Sequence, residues 1–459
     1  MTYKVIQYIV ILSIGITTSQ AMSKKGDLPS DEFARRRAVF IEELRELNAC
    51  AILHSAPDYS RNYDVSYPYR QDSDFIYLTG WEYAKSVLVL TPQAENSSKA
   101  EVTLFVNPRN PKYEIWTGPK LGIEEAINLP GVDQAHDYDV FIEKYPKLIN
   151  EYDRVAISYG NDSEFQSKFN DSFSSNHQRP SIVQEASSLI KYYRMIKSET
   201  EIRSIEKAIG ITGESLREVL PKIPGFNYEY EIRGEIEGGF IKRGAVRLGF
   251  PSIVGAGKNT TYLHYEVHTG KLNQGDLVLM DVGAEWNYYS ADISRTVPVN
   301  GVFSPEQAKI YQLVLDAQTA GIQSIKPGTP FREPHNIAVE VITGGLIELG
   351  LLDGNPDTNI TKLTYRKFFM HGTSHWLGLD VHDAGGRKNE AGDPHVLEAG
   401  MVLTVEPGIY ISESEDVDPK WWNIGVRIED DVLVTPDGHR VLSASIPKTI
   451  RELEAIIKP

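Results

Sequence analysis

The segment that most restricts how this chain can fold is LVLMDVGAEWNYYSADISRTV, residues 277–297, where Asp281 and Asp292 interrupt an apolar, strand-like run. A two-residue turn at Trp286 and Asn287 would pair Glu285 with Tyr288 and set Asp281 opposite Asp292 on one face of a hairpin. Two carboxylates ~4 Å apart at an effective dielectric near 20 repel by about 4 kcal/mol. A proton that raises one of the two pKa values relieves part of that cost. A divalent cation relieves more. A looser turn would let the two acids diverge, and this segment alone leaves both readings open.

Other acids pose the same problem. Glu406 ends the apolar run MVLTV and precedes a Pro-Gly turn, a poor place for an unpaired charge. In GVRIEDDVLV, Val426 and Ile428 alternate with Arg427 and Glu429, so the latter two share one face of a strand; taken alone, a structural salt bridge explains them. The stretch HGTSHWLGLDVHD adds His371, His375 and His382, three of the chain's 11 histidines. The single cysteine, Cys50, excludes an intrachain disulfide and a thiolate metal site, which leaves oxygen and nitrogen as donors. Burying four carboxylates with no cations in these motifs beyond Arg427 and Arg295 is prohibitive. Two divalent ions bridged by the carboxylates would balance the charge. An oxygen-rich set with one imidazole suits Mn²⁺, Co²⁺ or Fe²⁺ better than structural zinc.

A length of 459 residues predicts two or more domains. The net charge of −16, from 47 basic and 63 acidic residues, disfavours nucleic acid and anionic membrane surfaces as partners. At the amino terminus, Lys4, the apolar run Val5 to Ile16 and Ser19-Gln20-Ala21 have the form of a removable export signal over residues 1–21, which implies a periplasmic or secreted protein. The alternative is a cytoplasmic protein starting at Met22. No segment is long and apolar enough to predict stable membrane insertion.

After Pro29, SDEFARRRAVFIEELREL places Phe33, Val39, Phe40 and Leu44 at helical spacing. The runs ACAILHSA, SVLVLTP, VTLFVNP and RVAISYG read as strands, which predicts an α/β domain over residues 22–195. A long helix follows, opened by Ser198 and Glu201 in a capping-box spacing. Residues 196–459 then read as an α+β domain of two related halves that share one site.

Asp281 in MDVGAEW, Asp292 in SADISRTVPV, His375 in the histidine-rich stretch, Glu406 in TVEPGIY and Glu429 in GVRIEDD match, in order, the five-ligand signature of the dinuclear pita-bread metallopeptidases. Within that group the chain resembles aminopeptidase P from about Pro29 to its end, including YPYRQDSDFIYLTG at Tyr67 to Gly80. The resemblance implies a creatinase/aminopeptidase P-type amino-terminal domain before a pita-bread domain with pseudo-twofold halves. It implies hydrolysis of the bond before a proline at position two, through a hydroxide bridging two divalent ions, most simply Mn²⁺, with Co²⁺, Fe²⁺ or Zn²⁺ as alternatives. Peptides would be the substrates, and a homodimer or homotetramer the assembly.

Residue roles follow the same resemblance. Glu406 doubles as ligand and proton carrier, His264 stabilises the oxyanion, His382 orients substrate, and Arg427 supports Glu429 and the other acids. Trp116 and Tyr410 match positions near substrate, with plain packing as the alternative for each. His371 matches a structural position, and His268 reads as an ordinary loop histidine. One departure concerns an arginine usual in the loop before the Met401 strand: here Arg387 is displaced, and Gly392 and Asp393 stand nearest the usual place. Prolidase, restricted to Xaa-Pro dipeptides, is the nearest competing reading. Methionine aminopeptidase normally lacks so large an amino-terminal domain, and creatinase-type enzymes do not keep all five ligands. A non-catalytic peptide- or protein-binding module on this fold is the alternative from another class.

Overall fold

The computed structural model describes residues 28–93, 101–158, 163–175, 180–389 and 392–457, so the export signal expected at residues 1–21 lies outside them. The four apolar runs near the amino terminus are strands of one six-stranded sheet. Its order is Gln134–Asp137, Val102–Val106, Val87–Leu90, Ala49–His54, Arg154–Ile157 and Ile182–Glu185. Ala49–His54 lies parallel to Arg154–Ile157 and antiparallel to Val87–Leu90. The period of two divides these strands between two cores. Cys50, Ile52, Val87, Val89 and Phe105 pack on Phe141, Tyr145, Phe165 and Phe169. Ala51, Leu53, Leu88, Leu90 and Leu104 face the other way, into a core continuous with that of the second half of the chain. The helices Ser30–Glu46, Ser73–Thr79 and Ala186–Met195 pack on the strand Ala49–His54, and the core they form runs on into the second half.

The helix Ser30–Glu46 forms as the spacing predicts, burying Phe40 and Leu44. Val39, expected on the apolar stripe, is exposed; Arg36 and Arg37 take the buried face, with Arg36 paired to Glu32 and Glu201. The helix Glu199–Val219 opens with the expected capping box, in which the Ser198 N–H donates to Glu201 Oε2 at 2.9 Å.

Beyond it, two arrangements repeat. Helices Glu199–Val219 and Glu229–Lys242 precede the antiparallel strands Ile253–Ala256, Leu277–Val282 and Ile293–Pro298. Helices Pro305–Gln323 and Glu333–Glu348 precede Val402–Val405, Asp430–Thr435 and Gly438–Val441, with Gly408–Ile411 and Ile424–Arg427 as a separate pair. Among the described residues, no helix is long and apolar enough to cross a membrane.

Two local details differ from the sequence reading. The tight turn is Asn287-Tyr288, both at positive φ (51° and 69°), which suits a two-residue hairpin loop. Glu285 therefore pairs with Ser290, and Asp281 lies opposite Ser294 rather than Asp292. Asparagine takes that conformation readily. Tyr288 is held in it by packing, its ring under the Arg247 guanidinium at 4.5 Å. The second difference is that GVRIEDDVLV is two strands. Ile424–Arg427 pairs with Gly408–Ile411 and Asp430–Thr435 with Val402–Val405, so Arg427 and Glu429 flank a change of partner.

Candidate active site

The two acids of the first hairpin still converge. Any side chain at Gly283 would collide with the Ala291 carbonyl, 1.8 Å from an ideal Cβ position. Glycine there lets the ladder stop beyond the Val282–Ile293 pair, and the Asp292 N–H turns to donate to Asp431 Oδ2 at 3.1 Å. The second half brings its ligands by a different route. The segment Thr373 to Leu377 runs antiparallel beside Val402–Val405: the Leu377 N–H donates to Val402 O, Thr404 N–H to His375 O and Glu406 N–H to Thr373 O. His375 and Glu406 are thereby fixed two positions apart on adjoining backbone.

These elements enclose a cavity of about 820 Å³ lined by Asp281, Asp292, His375, Glu406 and Glu429, and also by His264, His382 and Arg427. Ligand atoms of Asp292, His375 and Glu429 lie within 4.8 Å of one another. His375 Nε2 is 3.2 Å from Asp292 Oδ2 and 3.8 Å from Glu406 Oε1. Its Nδ1 lies 3.0 Å from the Trp376 carbonyl, which assigns the proton to Nδ1 and leaves the Nε2 lone pair facing the carboxylates. Asp281 Oδ1 and Glu429 Oε1 are buried with no hydrogen-bond partner. Lone pairs of Asp292, His375 and Glu429 gathered this closely, in a cavity that also holds an unpartnered Asp281 oxygen, are a donor set for a cation.

The electrostatics agree. Burial, followed by repulsion from Asp281, Asp431 and Glu406, pushes the Asp292 carboxyl well above the usual range. Burial and the charges of Asp292 and Glu406 do the same to Glu429. Glu406 is raised by burial to about 7, held there against the opposing pull of His375 and Arg427. Divalent cations at this point would reverse all three displacements.

Arg427 is the cation of this cluster, and of the acids it was expected to support, the one it pairs with directly is Asp281 rather than Glu429. Nη2 pairs with Asp281 Oδ2 at 2.5 Å. Contact with Glu429 runs through Ser294, whose hydroxyl accepts from Arg427 Nε and donates to Glu429 Oε2, both at 2.9 Å. The sequence reading missed Ser294; it faces Asp281 only in the true register. It also missed Asp431, although an acid doublet inside an apolar strand was a visible signal. Asp430 is neutralised by Arg295 and Lys448, whereas Asp431 keeps an unpartnered Oδ1 beside Asp292. Arg427→Lys keeps the charge but cannot reproduce the planar set of contacts to Asp281, Ser294 and Tyr410. The variant is expected to bind divalent metal, titrated as Mn²⁺ or Zn²⁺, roughly tenfold more weakly. Calorimetric titration checks this, and an unchanged affinity would show that Arg427 does not orient the acids.

Two expected substrate residues fall elsewhere. Trp116 lies on the helix Pro111–Thr117, is 85% exposed, and is not part of the cavity wall. Tyr410 is buried behind the site rather than lining it. Its hydroxyl accepts from Arg427 Nη1 at 3.1 Å and lies 2.8 Å from His371 Nε2. Burial and the adjacent Arg427 push the His371 imidazole down to about 3, so it stays neutral and accepts from Tyr410. His371 is thus a structural support, as its sequence context implied. His268 does lie in a loop, as read, but is buried in the cavity wall with Nδ1 3.2 Å from Arg233 Nη1. Arg387 lines the cavity despite its displacement in sequence.

A family model described as metallopeptidase family M24 matches residues 203–436, and one described as aminopeptidase P, N-terminal domain, matches residues 33–157. The chain is 38% identical over 435 residues to a Xaa-Pro aminopeptidase of Haemophilus influenzae, spanning 94% of this chain and 98% of that protein. Among solved structures, aminopeptidase PepP of Pseudomonas aeruginosa superposes with a TM-score of 0.88 at 39% identity, over 94% of this chain and 99% of that one. A zinc-substituted aminopeptidase P of Escherichia coli in complex with product matches with a TM-score of 0.88 at 36% identity, over 94% and 98%. The acid-lined cavity, the two-part architecture and these likenesses together place the chain in metallopeptidase family M24, as a pita-bread protein that carries the aminopeptidase P amino-terminal domain.

Proposed function

We infer that this chain is a metal-dependent Xaa-Pro aminopeptidase, a hydrolase that releases the first residue of peptides with proline in second position. The observation that carries this reading is the convergence of Asp281, Asp292, His375, Glu406 and Glu429 in one cavity of a family M24 fold. The dipeptide-only alternative is not favoured, because the relatives that match over 94% of the chain are Xaa-Pro aminopeptidases.

Those five side chains would hold two divalent ions, with Mn²⁺ favoured by a donor set of four carboxylates and one imidazole. Ions bound there would polarise the scissile carbonyl and acidify a water molecule. The remaining work falls to the chain. The bond before proline is a tertiary amide with no N–H, so its nitrogen must gain a proton to leave. Glu406, whose carboxylate lines the cavity within 3.8 Å of His375 Nε2, is the group that accepts the water's proton and passes it to that nitrogen. His264 and His382, both exposed to the cavity, supply N–H donors for the carbonyl oxygen as it gains charge and for the substrate backbone. Burial and the neighbouring His375 and His264 lower the His382 pKa, so its neutral form dominates at physiological pH. Phe250, Pro251, Ile253, Leu263 and Val381 give the same cavity an apolar wall suited to a pyrrolidine ring.

A panel of peptides with proline at position two, varied in length and assayed with Mn²⁺, Co²⁺ and Zn²⁺, tests this reading. Release of the first residue from tripeptides and longer peptides, abolished by a chelator and restored by metal, is the expected result. Cleavage of dipeptides alone would transfer the chain to prolidase. No cleavage with any ion would leave a binding role.

A further inference from the structure

His382 does not hold its own position. It sits in a short irregular stretch between Val381 and Asp383, its ring 4.3 Å from that of His375 in an edge contact. The next residue is anchored at both ends. The Asp383 N–H donates to the Trp376 carbonyl at 2.9 Å, the same oxygen that receives the His375 Nδ1 proton. Its buried carboxylate accepts from Arg194 Nη2 at 2.5 Å and from Lys197 Nζ at 3.0 Å. The seat is close-fitting, since a Cβ at Gly378 would lie 2.2 Å from Asp383 Oδ2.

The cations belong to the amino-terminal part and the linker. Arg194 ends the helix Ala186–Met195 and also binds Asp74 Oδ1 at 2.8 Å and Asp380 Oδ2 at 2.7 Å. Lys197 has a fully buried side chain and a backbone N–H that donates to Gly400 O at 2.9 Å. A lysine with no exposed side-chain surface needs its anion, and here that anion is attached directly to the substrate histidine.

We propose that Asp383 is a positioning residue: clamped by Arg194 and Lys197, it sets the His382 imidazole against His375 and so makes the active-site geometry depend on the amino-terminal domain. This rests on the Xaa-Pro aminopeptidase reading above. Bland domain glue would use the same ion pairs but would not act through His382, and a thermodynamic cycle separates the two. The kcat and KM of the full-length, Mn²⁺-loaded protein are measured on a Xaa-Pro tripeptide for wild type, Asp383→Asn, Lys197→Met and His382→Ala, and for each clamp variant combined with His382→Ala.

A small displacement of a substrate-positioning group costs up to about a hundredfold in rate, so each clamp variant is expected to lower kcat roughly ten- to a hundredfold with KM little changed. In the His382→Ala background the same substitutions should cost less than about twofold, and Lys197→Arg should recover most of the activity. Lys197→Met keeps the Arg194 pair and carries the cycle if Asp383→Asn fails to fold. Equal factors in both backgrounds would overturn the clamp while leaving the peptidase reading intact. A wild-type protein inert on every Xaa-Pro peptide would overturn that reading and the clamp with it.

Discussion

Glu406→Gln is expected to lower kcat on a Xaa-Pro tripeptide by at least about a thousandfold while the protein remains folded. General acid–base catalysis alone is worth roughly 10² to 10⁴ in rate, and an amide can neither take the water's proton nor return it to the proline nitrogen. The substitution also removes one anion from the cation-binding set, which compounds the loss. Folding is spared for a specific reason. Glutamine matches glutamate in shape, and the backbone of Glu406 is pinned by its N–H bond to Thr373 O rather than by its side chain. Because burial makes the Glu406 charge costly, the metal-free variant should unfold at a slightly higher temperature than metal-free wild type. Steady-state kinetics with excess Mn²⁺, alongside thermal unfolding of both proteins, checks the two halves of this expectation. A kcat within tenfold of wild type would remove Glu406 from proton transfer.

Much of this site was legible because burying charge is expensive, and the sequence displays that expense locally. Asp281, Asp292, Glu406 and Glu429 each interrupt an apolar run, and the fold does bring them to one cavity with His375. The four apolar runs near the amino terminus became strands because nothing within them competes with a fully buried sheet. The misreadings share a cause. Whether the hairpin turns at Trp286-Asn287 or Asn287-Tyr288 depends on what holds Tyr288 at positive φ, and Arg247, which stacks on that ring, lies far away in sequence. The strand containing Arg427 changes partner before Glu429 because Val402–Val405 claims the residues after it, a competition that no local pattern records. The pair between Arg194 and Asp383 spans 189 positions and was invisible for the same reason. Trp116 and Tyr410 rested on resemblance alone; within this chain one is exposed on a peripheral helix and the other is a hydrogen-bond support for Arg427.

Stripped of metal, the acid cluster is expected to contribute less stability as pH rises, contrary to the usual behaviour of carboxylates in folded proteins. Asp292, Glu406 and Glu429 all have folded-state pKa values raised above those of an unfolded chain, chiefly by burial. Between the two values these groups bind more protons in the folded state than in the unfolded one, so their contribution to the stability of the metal-free protein falls with increasing pH. For Glu406 the decline starts near its ordinary value of 4.5 and is complete above about 7, a displacement worth on the order of 3 kcal/mol. Asp292 and Glu429 act in the same direction. Buried His371 and His335, held down to about 3 and about 4, act in the opposite sense over the same range, so the acids are read against Glu406→Gln: between about pH 5 and about pH 8, chelated wild type should lose several degrees relative to the chelated variant. Mn²⁺ should remove that relative loss: bound to the deprotonated carboxylates, at a hundred times its dissociation constant it adds about 2.7 kcal/mol to the folded state. The comparison needs unfolding curves of both proteins at the two pH values, with and without metal. If the metal-free difference between the two proteins did not change with pH, the acids would not be crowded enough to require cations, and the reason for placing metal among them would disappear.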